Sequence, residues 1–451
     1  MTTAVTEQLL TEIQELIRDH EREGVVGLAE RIGPAEWAEL VPRLDPGEVA
    51  VLIQWLPDEE VARILEEVSP PEAARILRTL SQPEAAALLA EMDPDDAADV
   101  VEEIPDPEAD QILVRMPPEE AAEIRELAAY APDTAGGLMT PEFVAVHPEA
   151  RASEAIAAIR RLVDEAETVS YVYVIDHDRR LVGVLSLYRL LLSPADTPVS
   201  QVVAPTTVRV RADADQETAA RLLTDHNLVA IPVVDAADHL LGIITEDDIA
   251  DVLEAEATED IERLGGSQPL NIPYRLSSVP LLVRKRAGWL LLLFLAAGYT
   301  GTVLQAFEEE LTTVVALSFF IPLLIGTGGN IGSQTVTLIV RAMALNEVSL
   351  RDISWVVFKE MRVGLVLGAF MALAGFVRAE LLGVGQDIGL VVAATIVAIC
   401  AWSATIAAAL PLLLRRLGFD PAVVSAPFIT TVVDGTGLII YFELARILLR
   451  L

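Results

Sequence analysis

The chain has 451 residues, 52% hydrophobic and 22% charged, enough for two or three domains that mix soluble and membrane parts. Its net charge of −36 is uneven: residues 275–451 carry 13 basic and 11 acidic side chains, leaving 19 basic and 57 acidic in residues 1–274. Such an acidic half repels itself, attracts cations and excludes nucleic acid as a partner, since phosphate needs positive charge. The single cysteine, Cys400, excludes an intrachain disulfide and a Cys-based zinc cluster. With only Lys285 and Lys359, there is no GxxxxGK[ST] phosphate loop.

The N-terminus, MTTAVTEQLLTEIQELIRDH, is charged and helix-periodic without the apolar core of a secretory signal, so the acidic half is expected in the cytoplasm. From Leu56 a unit of 12 residues or so recurs: LPDEEVARILEEV, SPPEAARILRTL, SQPEAAALLAEM, DPDDAADVVEEI, PDPEADQILVRM, PPEEAAEIRELA. Each opens on Pro and an acid and continues with Ala, Leu and Ile at helical spacing, which suits short capped helices. Units this short bury no face alone, so they are expected to stack into a helical solenoid; an unfolded acidic linker is the alternative.

Near Gly136 the period changes. Residues 143–192 and 206–253 repeat the order strand, helix, strand, tight turn, strand, helix, with GVLSLYRL and GIITEDDI as matching ends. The pair resembles tandem cystathionine-β-synthase (CBS) domains, which often bind adenine nucleotides through a Thr and an Asp three residues later. The second copy keeps this pattern as Thr245 and Asp248. The first has Ser186 and Arg189, a basic residue where the acid belongs, which weighs against ATP as a regulator.

After Gly265 and Gly266, apolar runs cover Ala287–Phe307, Leu311–Val340, about Ser354–Val377, Ile388–Leu414 and Pro421–Phe442. A span needs about 20 residues, so five transmembrane helices are expected. Basic residues 284–286 precede the first, and Arg341, Arg351, Lys359, Arg362, Arg415 and Arg416 lie in later loops on the same side, placing the N-terminus inside. Arg446 and Arg450 fit that rule poorly.

Three features carry chemistry. IPLLIGTGGNIGSQT, residues 321–335, clusters glycines with Asn330, Ser333, Gln334 and Thr335. A small-residue packing seam explains the glycines, but a hydrated pathway also explains the polar side chains. Its candidate lining is Gly326, Gly328, Gly329, Asn330 and Ser333, with Thr430 and Thr431 from the last span. Asp434 is the only charge between Pro421 and Phe442, at an insertion cost of roughly 3 kcal/mol. It is read as a cation site rather than a buried protonated acid. One carboxylate per chain suits a symmetric dimer around hydrated Mg²⁺, which keeps its waters and needs only one or two carboxylates. Third, TEDDIADVLEAEATEDI, residues 245–261, sets Asp248 and Asp251, and Glu256 and Glu259–Asp260, one turn apart. At about 6 Å and an effective dielectric near 20, two such carboxylates repel by roughly 3 kcal/mol, which a divalent cation would remove. A merely solvated acidic face is the alternative.

In this order, the acidic repeats, tandem CBS copies, DVLEAEATEDI helix and five spans resemble the MgtE magnesium channel/transporters over nearly the whole length. TAGGLMTPEFVAV, GTGGNIGSQ and DGTGLIIYFELA resemble its signatures. The resemblance implies a multidomain homodimer in the bacterial inner membrane with a large cytoplasmic N-terminal part. Its expected divisions are an α-helical solenoid N domain (1–135), α/β CBS copies (136–200 and 201–253), a connecting plug helix and linker (246–274) and a five-helix α-helical pore domain (275–451). It implies Mg²⁺ in the pore at Asp434. It further implies sensing of cytosolic Mg²⁺ at Asp95, Glu217, Asp248, Asp251, Glu256, Glu259 and Asp260, with Asp420 a weaker candidate. Departures stand at Arg63, Asn227, Ser333 and Ala426.

Expected function is Mg²⁺ uptake that abundant cytosolic Mg²⁺ shuts off, with Co²⁺, Ni²⁺ or Mn²⁺ as alternative cargo. A CBS-based nucleotide or ionic-strength sensor without transport is the reading from another class. An intramembrane metalloprotease would need membrane histidines, and all five (20, 147, 177, 226, 239) lie in the acidic half. In CBS-bearing chloride channels the pair normally follows the membrane part, and Asp434 would repel anions. A non-enzymatic protein is expected.

Overall fold

The structure, a computed structural model, describes residues 3–29, 31–163, 166–205, 208–270, 272, 274 and 277–451. Residues 206 and 207, which open the second α/β repeat, and 271, 273, 275 and 276 of the linker lie outside the described residues. The chain divides into two compact units, Met1–Glu256 and Ala257–Leu451.

The first unit begins with α1 (Thr3–Arg18), α2 (Arg22–Ala29), α3 (Pro34–Leu40) and α4 (Pro46–Trp55). The repeat then appears as α5 (Asp58–Glu66), α6 (Pro70–Leu77), α7 (Gln82–Glu91), α8 (Pro94–Glu102), α9 (Asp106–Leu113) and α10 (Pro118–Leu127). Each starts at or beside a proline and has an acid in its first turn, where the missing N–H costs nothing and the helix dipole favours negative charge. Ser81 N–H, for example, donates to Glu84 Oε2 at 2.9 Å. Ile64, Ile76, Leu88, Val100, Ile112 and Ile124, one per repeat, are all buried. Helices two apart pack together, α5 on α7, α6 on α8, α7 on α9 and α8 on α10, which is the stacking that buries those positions.

The first α/β repeat runs β1 (Phe143–Val146), α11 (Ala152–Leu162), β2 (Thr168–Ile175), β3 (Leu181–Ser186) and α12 (Leu187–Leu192), followed by α13 (Val199–Val202) and β4 (Ala204–Pro205). The second runs β5 (Val210–Arg211), α14 (Gln216–His226), β6 (Ala230–Val234), β7 (Leu240–Thr245) and α15 (Glu246–Leu264). Their sheets have the orders β1-β2-β3-β4 and β5-β6-β7. In both, the crossover helix makes the first pair parallel and the tight turn makes the second antiparallel. Tyr173 of the first sheet packs with Ala230, Leu240 and Ile243 of the second.

The second unit contains α16 (Val279–Ala306), α17 (Glu308–Thr313), α18 (Ile321–Ala344), α19 (Ile353–Leu381), α20 (Gln386–Arg416) and α21 (Ala426–Leu449). Among the described residues four helical stretches, Val279–Ala306, Val315–Ala344, Leu350–Leu381 and Gln386–Arg416, are long and apolar enough to cross a membrane. The expected fifth, α21, has 24 residues, about 36 Å at 1.5 Å each, but carries Asp434, Glu443 and Arg446. Leu290, Leu291, Phe294, Phe370 and Leu373 are exposed, as a lipid-facing surface requires. The core is formed by α18, α20 and α21, with Ile396, Ile399, Val433 and Leu438 buried within it.

Candidate metal sites

In the first unit, the repeat reading DPDD places Asp93 as the N-cap of α8 and Asp95 and Asp96 in its first turn, with Asp99 one turn on. Glu66 ends α5, and its Oε1 accepts from Asp93 N–H at 3.0 Å. Oxygens of Glu66, Asp93 and Asp96 lie within 4.8 Å of one another. That spacing suits a hydrated Mg²⁺ held by one or two direct carboxylates and its own waters.

The group extends into both α/β repeats. Asp95 is half-buried, and its Oδ1 is buried with no hydrogen-bond partner among the described residues. Burial raises its carboxyl well above the aspartate range, with Asp248, Glu167 and Asp93 adding to the effect. Burial likewise pushes Asp96 up to about 9, reinforced by Asp95, Glu66, Asp248 and Asp93. Glu66, Asp99 and Glu167 are each pushed up to about 7, again by burial first. Asp248 rises through burial and Asp247, although Thr245 opposes this with a 2.8 Å bond from Oγ1. Carboxylates packed so closely must take up protons or cations. A buried oxygen without a donor, in an oxygen-only donor set, fits a divalent cation of the Mg²⁺ class.

Asp95 and Asp248 thus fall in one cluster, and Asp251 is raised beside it by burial, Glu254 and Asp247. Other candidates have protein partners. Glu217 pairs with Arg221, and Glu256 accepts from Gln216 at 2.6 Å. In the second unit Glu259 and Asp420 both pair with Arg263, and Asp420 also caps the turn at Ala422 N–H. Asp260 follows Glu259 on α15. Thr245 N–H also donates to Asp248 at 3.2 Å, and its Oγ1 lies against Asp247, while Ser186 Oγ accepts from Arg189 N–H as an N-cap. Arg63 pairs with Glu59 at 2.8 Å and offsets part of the rise that burial gives Glu66 and Asp93. Asn227 ends α14 in a left-handed conformation, φ 49°, which asparagine tolerates better than most residues.

Glu66, Asp93, Asp96, Asp99 and Glu167 are members that the sequence reading did not single out. DPDD, three acids in four residues, was the available signal for Asp93 and Asp96; Asp99, Glu66 and Glu167 join only through packing.

The second unit holds Asp434 in mid-helix, half-buried, and its Oδ1 is buried with no hydrogen-bond partner among the described residues. The glycine-rich stretch is continuous helix, α18, and its residues divide by face. Gly328, Gly329 and Gly332 are buried: an added Cβ would meet Val433 at 2.8 Å, Thr430 at 2.9 Å and Ile429 at 2.5 Å. These three let α21 approach α18. Ser403 Oγ also donates to Gly328 O at 2.6 Å. Gly326, Asn330, Gln334 and Thr337 are exposed, with Ser333 half-exposed, so α18 presents a polar stripe. Thr430 and Thr431 are half-buried and donate to Pro427 O.

The end of α21 is anchored. Arg446 Nε lies 2.5 Å from Glu310 Oε1, Nη1 lies 3.2 Å from Glu443, and the guanidinium sits 4.9 Å over Phe307. Phe307 stacks on Phe442, and Tyr441 donates to Leu317 O at 3.0 Å. Two nearby acids thus offset the charge that fitted the inside-positive pattern poorly.

Three parts of the chain match known families. Residues 321–444 match the family MgtE, described as "Divalent cation transporter", and residues 32–133 match "MgtE intracellular N domain". Residues 135–196 and 199–255 match the CBS domain. Over 328 residues, 72% of each chain, the sequence is 45% identical to magnesium transporter MgtE of Thermus thermophilus. It is 34% identical, with the same coverage, to the magnesium transporter of Enterococcus faecalis. A crystal structure of the cytosolic domain of the Mg²⁺ channel MgtE in complex with ATP is 36% identical, with a TM-score of 0.52 over 54% of this chain and 99% of that one.

Proposed function

The chain belongs to the MgtE family of divalent cation transporters, and we propose that it conducts Mg²⁺ into a bacterial cell and closes when cytosolic Mg²⁺ is abundant. The observation that carries the reading is Asp434, a carboxylate in a membrane-length helix with a buried, unpartnered oxygen. Such an oxygen offers a cation a ligand at membrane depth. The polar stripe of α18 supports a wet pathway, because Asn330 and Gln334 are poorly placed against lipid. Water and a second copy of the chain would cover it, giving a homodimer in which two Asp434 carboxylates share one hydrated ion. Transport would run inward, since a divalent ion gains about 4.6 kcal/mol per 100 mV of membrane potential.

Shut-off is assigned to the cytosolic cluster. Without metal, Asp95, Asp96, Asp99, Asp248 and their neighbours are held together against burial and mutual repulsion. Mg²⁺ favours the packed arrangement by neutralising them, and so shifts the population towards it. The same cluster holds Asp248, at the start of α15, the helix that continues into the second unit. Nucleotide is a secondary effector at most, acting at Thr245 and Asp248; its support is the ATP-bound relative. Co²⁺, Ni²⁺ and Mn²⁺ remain alternative cargo, and flux assays with each rank them.

Neutralising Asp248, Asp251, Glu256 and Glu259 together should leave Mg²⁺ flux intact and weaken its shut-off by internal Mg²⁺. Loss of flux in a normally folded variant would mean that these residues conduct rather than regulate.

A further inference from the structure

The first α/β repeat brings two imidazoles together away from the acidic cluster. His147 follows β1 and His177 lies in the turn after β2, with ring centroids 5.0 Å apart and planes tilted by 36°. Strand register produces this placement: β1 and β2 are parallel, with Val146 opposite Val174, so the chain leaves both strands at one edge of the sheet. One ring is oriented by the backbone, His147 Nδ1 lying 3.1 Å from Ile175 O. A carbonyl only accepts, so Nδ1 carries the proton and the neutral ring keeps its lone pair on Nε2. Metal-ligating histidines are typically held this way. Both rings are open to solvent.

The second repeat serves as an internal control. Aligning VAVH with VRVR and DHDRRLVG with DAADHLLG puts Arg211 and Ala236 at the positions of His147 and His177. Arg211 turns to Asp213 through bonds of 2.8 and 2.9 Å. The fold therefore builds the same strands and turn without imidazoles, and packing does not require the pair.

We propose that His147 and His177 form a two-imidazole site for a borderline d-block divalent cation, Zn²⁺, Co²⁺ or Ni²⁺. Mg²⁺ is excluded by donor type, since it takes oxygen, whereas imidazole nitrogen suits the later first-row ions. The site is thus chemically separate from the oxygen-only cluster on the same unit. Two rings anchored at registered strand ends chelate better than either ring alone.

The test is calorimetric titration of the detergent-solubilised full chain with Zn²⁺ in millimolar Mg²⁺, which occupies the oxygen sites. The wild type should bind one tight Zn²⁺ per chain. Each of His147→Ala and His177→Ala should weaken that binding by about tenfold or more. The double variant His147→Arg/His177→Ala, which installs the second repeat's residues and so should fold, should abolish it. An unchanged thermal midpoint would verify folding. Retention of the tight site in the double variant overturns the proposal, as does a loss confined to one of the single variants.

Discussion

Asp96→Asn would change the acidic cluster by one proton's worth of charge with little change in shape. In the metal-free protein its carboxyl is pushed up to about 9, by burial first and then by Asp95, Glu66, Asp248 and Asp93. In an unfolded chain an aspartate titrates at about 3.9. Between those values the native state binds more protons than the unfolded one, so its stability falls as pH rises towards 9. Keeping Asp96 protonated costs about 5.5 kcal/mol at pH 8 and about 3 kcal/mol at pH 6. Asparagine holds the neutral form permanently. Glu66, Asp99 and Glu167, each pushed up to about 7, titrate along with Asp96 and absorb part of the gain. Asp96→Asn is therefore expected to stabilise the metal-free cluster by about 2–3 kcal/mol at pH 8 and about half that at pH 6. Excess Mg²⁺ should reverse the order, because the ion replaces the proton and asparagine is the weaker ligand. Hydrogen exchange of the α8 amides in the detergent-solubilised full chain reads this locally. The reasoning fails if the variant is less protected than wild type at pH 8 without Mg²⁺, or if Mg²⁺ protects both equally.

Two further outcomes concern the membrane unit. Glu310→Gln should lower its melting temperature by removing the ion pair that anchors the end of α21, and exchanging the two charges should recover part of the loss; thermal melting of the purified protein measures both. Gly332→Ala should cost about 1–3 kcal/mol, because its Cβ would lie 2.5 Å from Ile429 and 2.7 Å from Ser403 Oγ. Gly326→Ala, with nothing within 4 Å, should melt like wild type; equal destabilisation by the two would refute the division of α18 into packed and open faces.

Much of the architecture could be read in the sequence because its signals are local and repeated. The buried positions from Ile64 to Ile124 recur with the prolines that start each helix. The two α/β copies announce themselves by a matched order of strands and turns. The acidic cluster is different. Asp95 and Asp248 are separated by more than 150 residues in the chain, and no periodicity says that α8 meets the start of α15. Glu66 and Glu167 likewise depend on which helix faces which. Arg63 suggests a lost acid in sequence, yet in space it offsets part of the rise that burial gives Glu66 and Asp93 while pairing with Glu59. Glycine composition alone left packing and pathway as competing explanations of GTGGNIGSQT. The helix separates the two sets by face: Gly328, Gly329 and Gly332 touch neighbouring helices while Gly326 and Asn330 do not share that burial. The partner of Arg446 was hidden for the same reason: Glu310 lies 136 residues earlier.

The most direct test of the central claim is Mg²⁺ uptake in a magnesium-dependent strain carrying Asp434→Ala, with membrane levels of the protein matched to wild type. The account predicts that uptake is lost; uptake equal to wild type would contradict it.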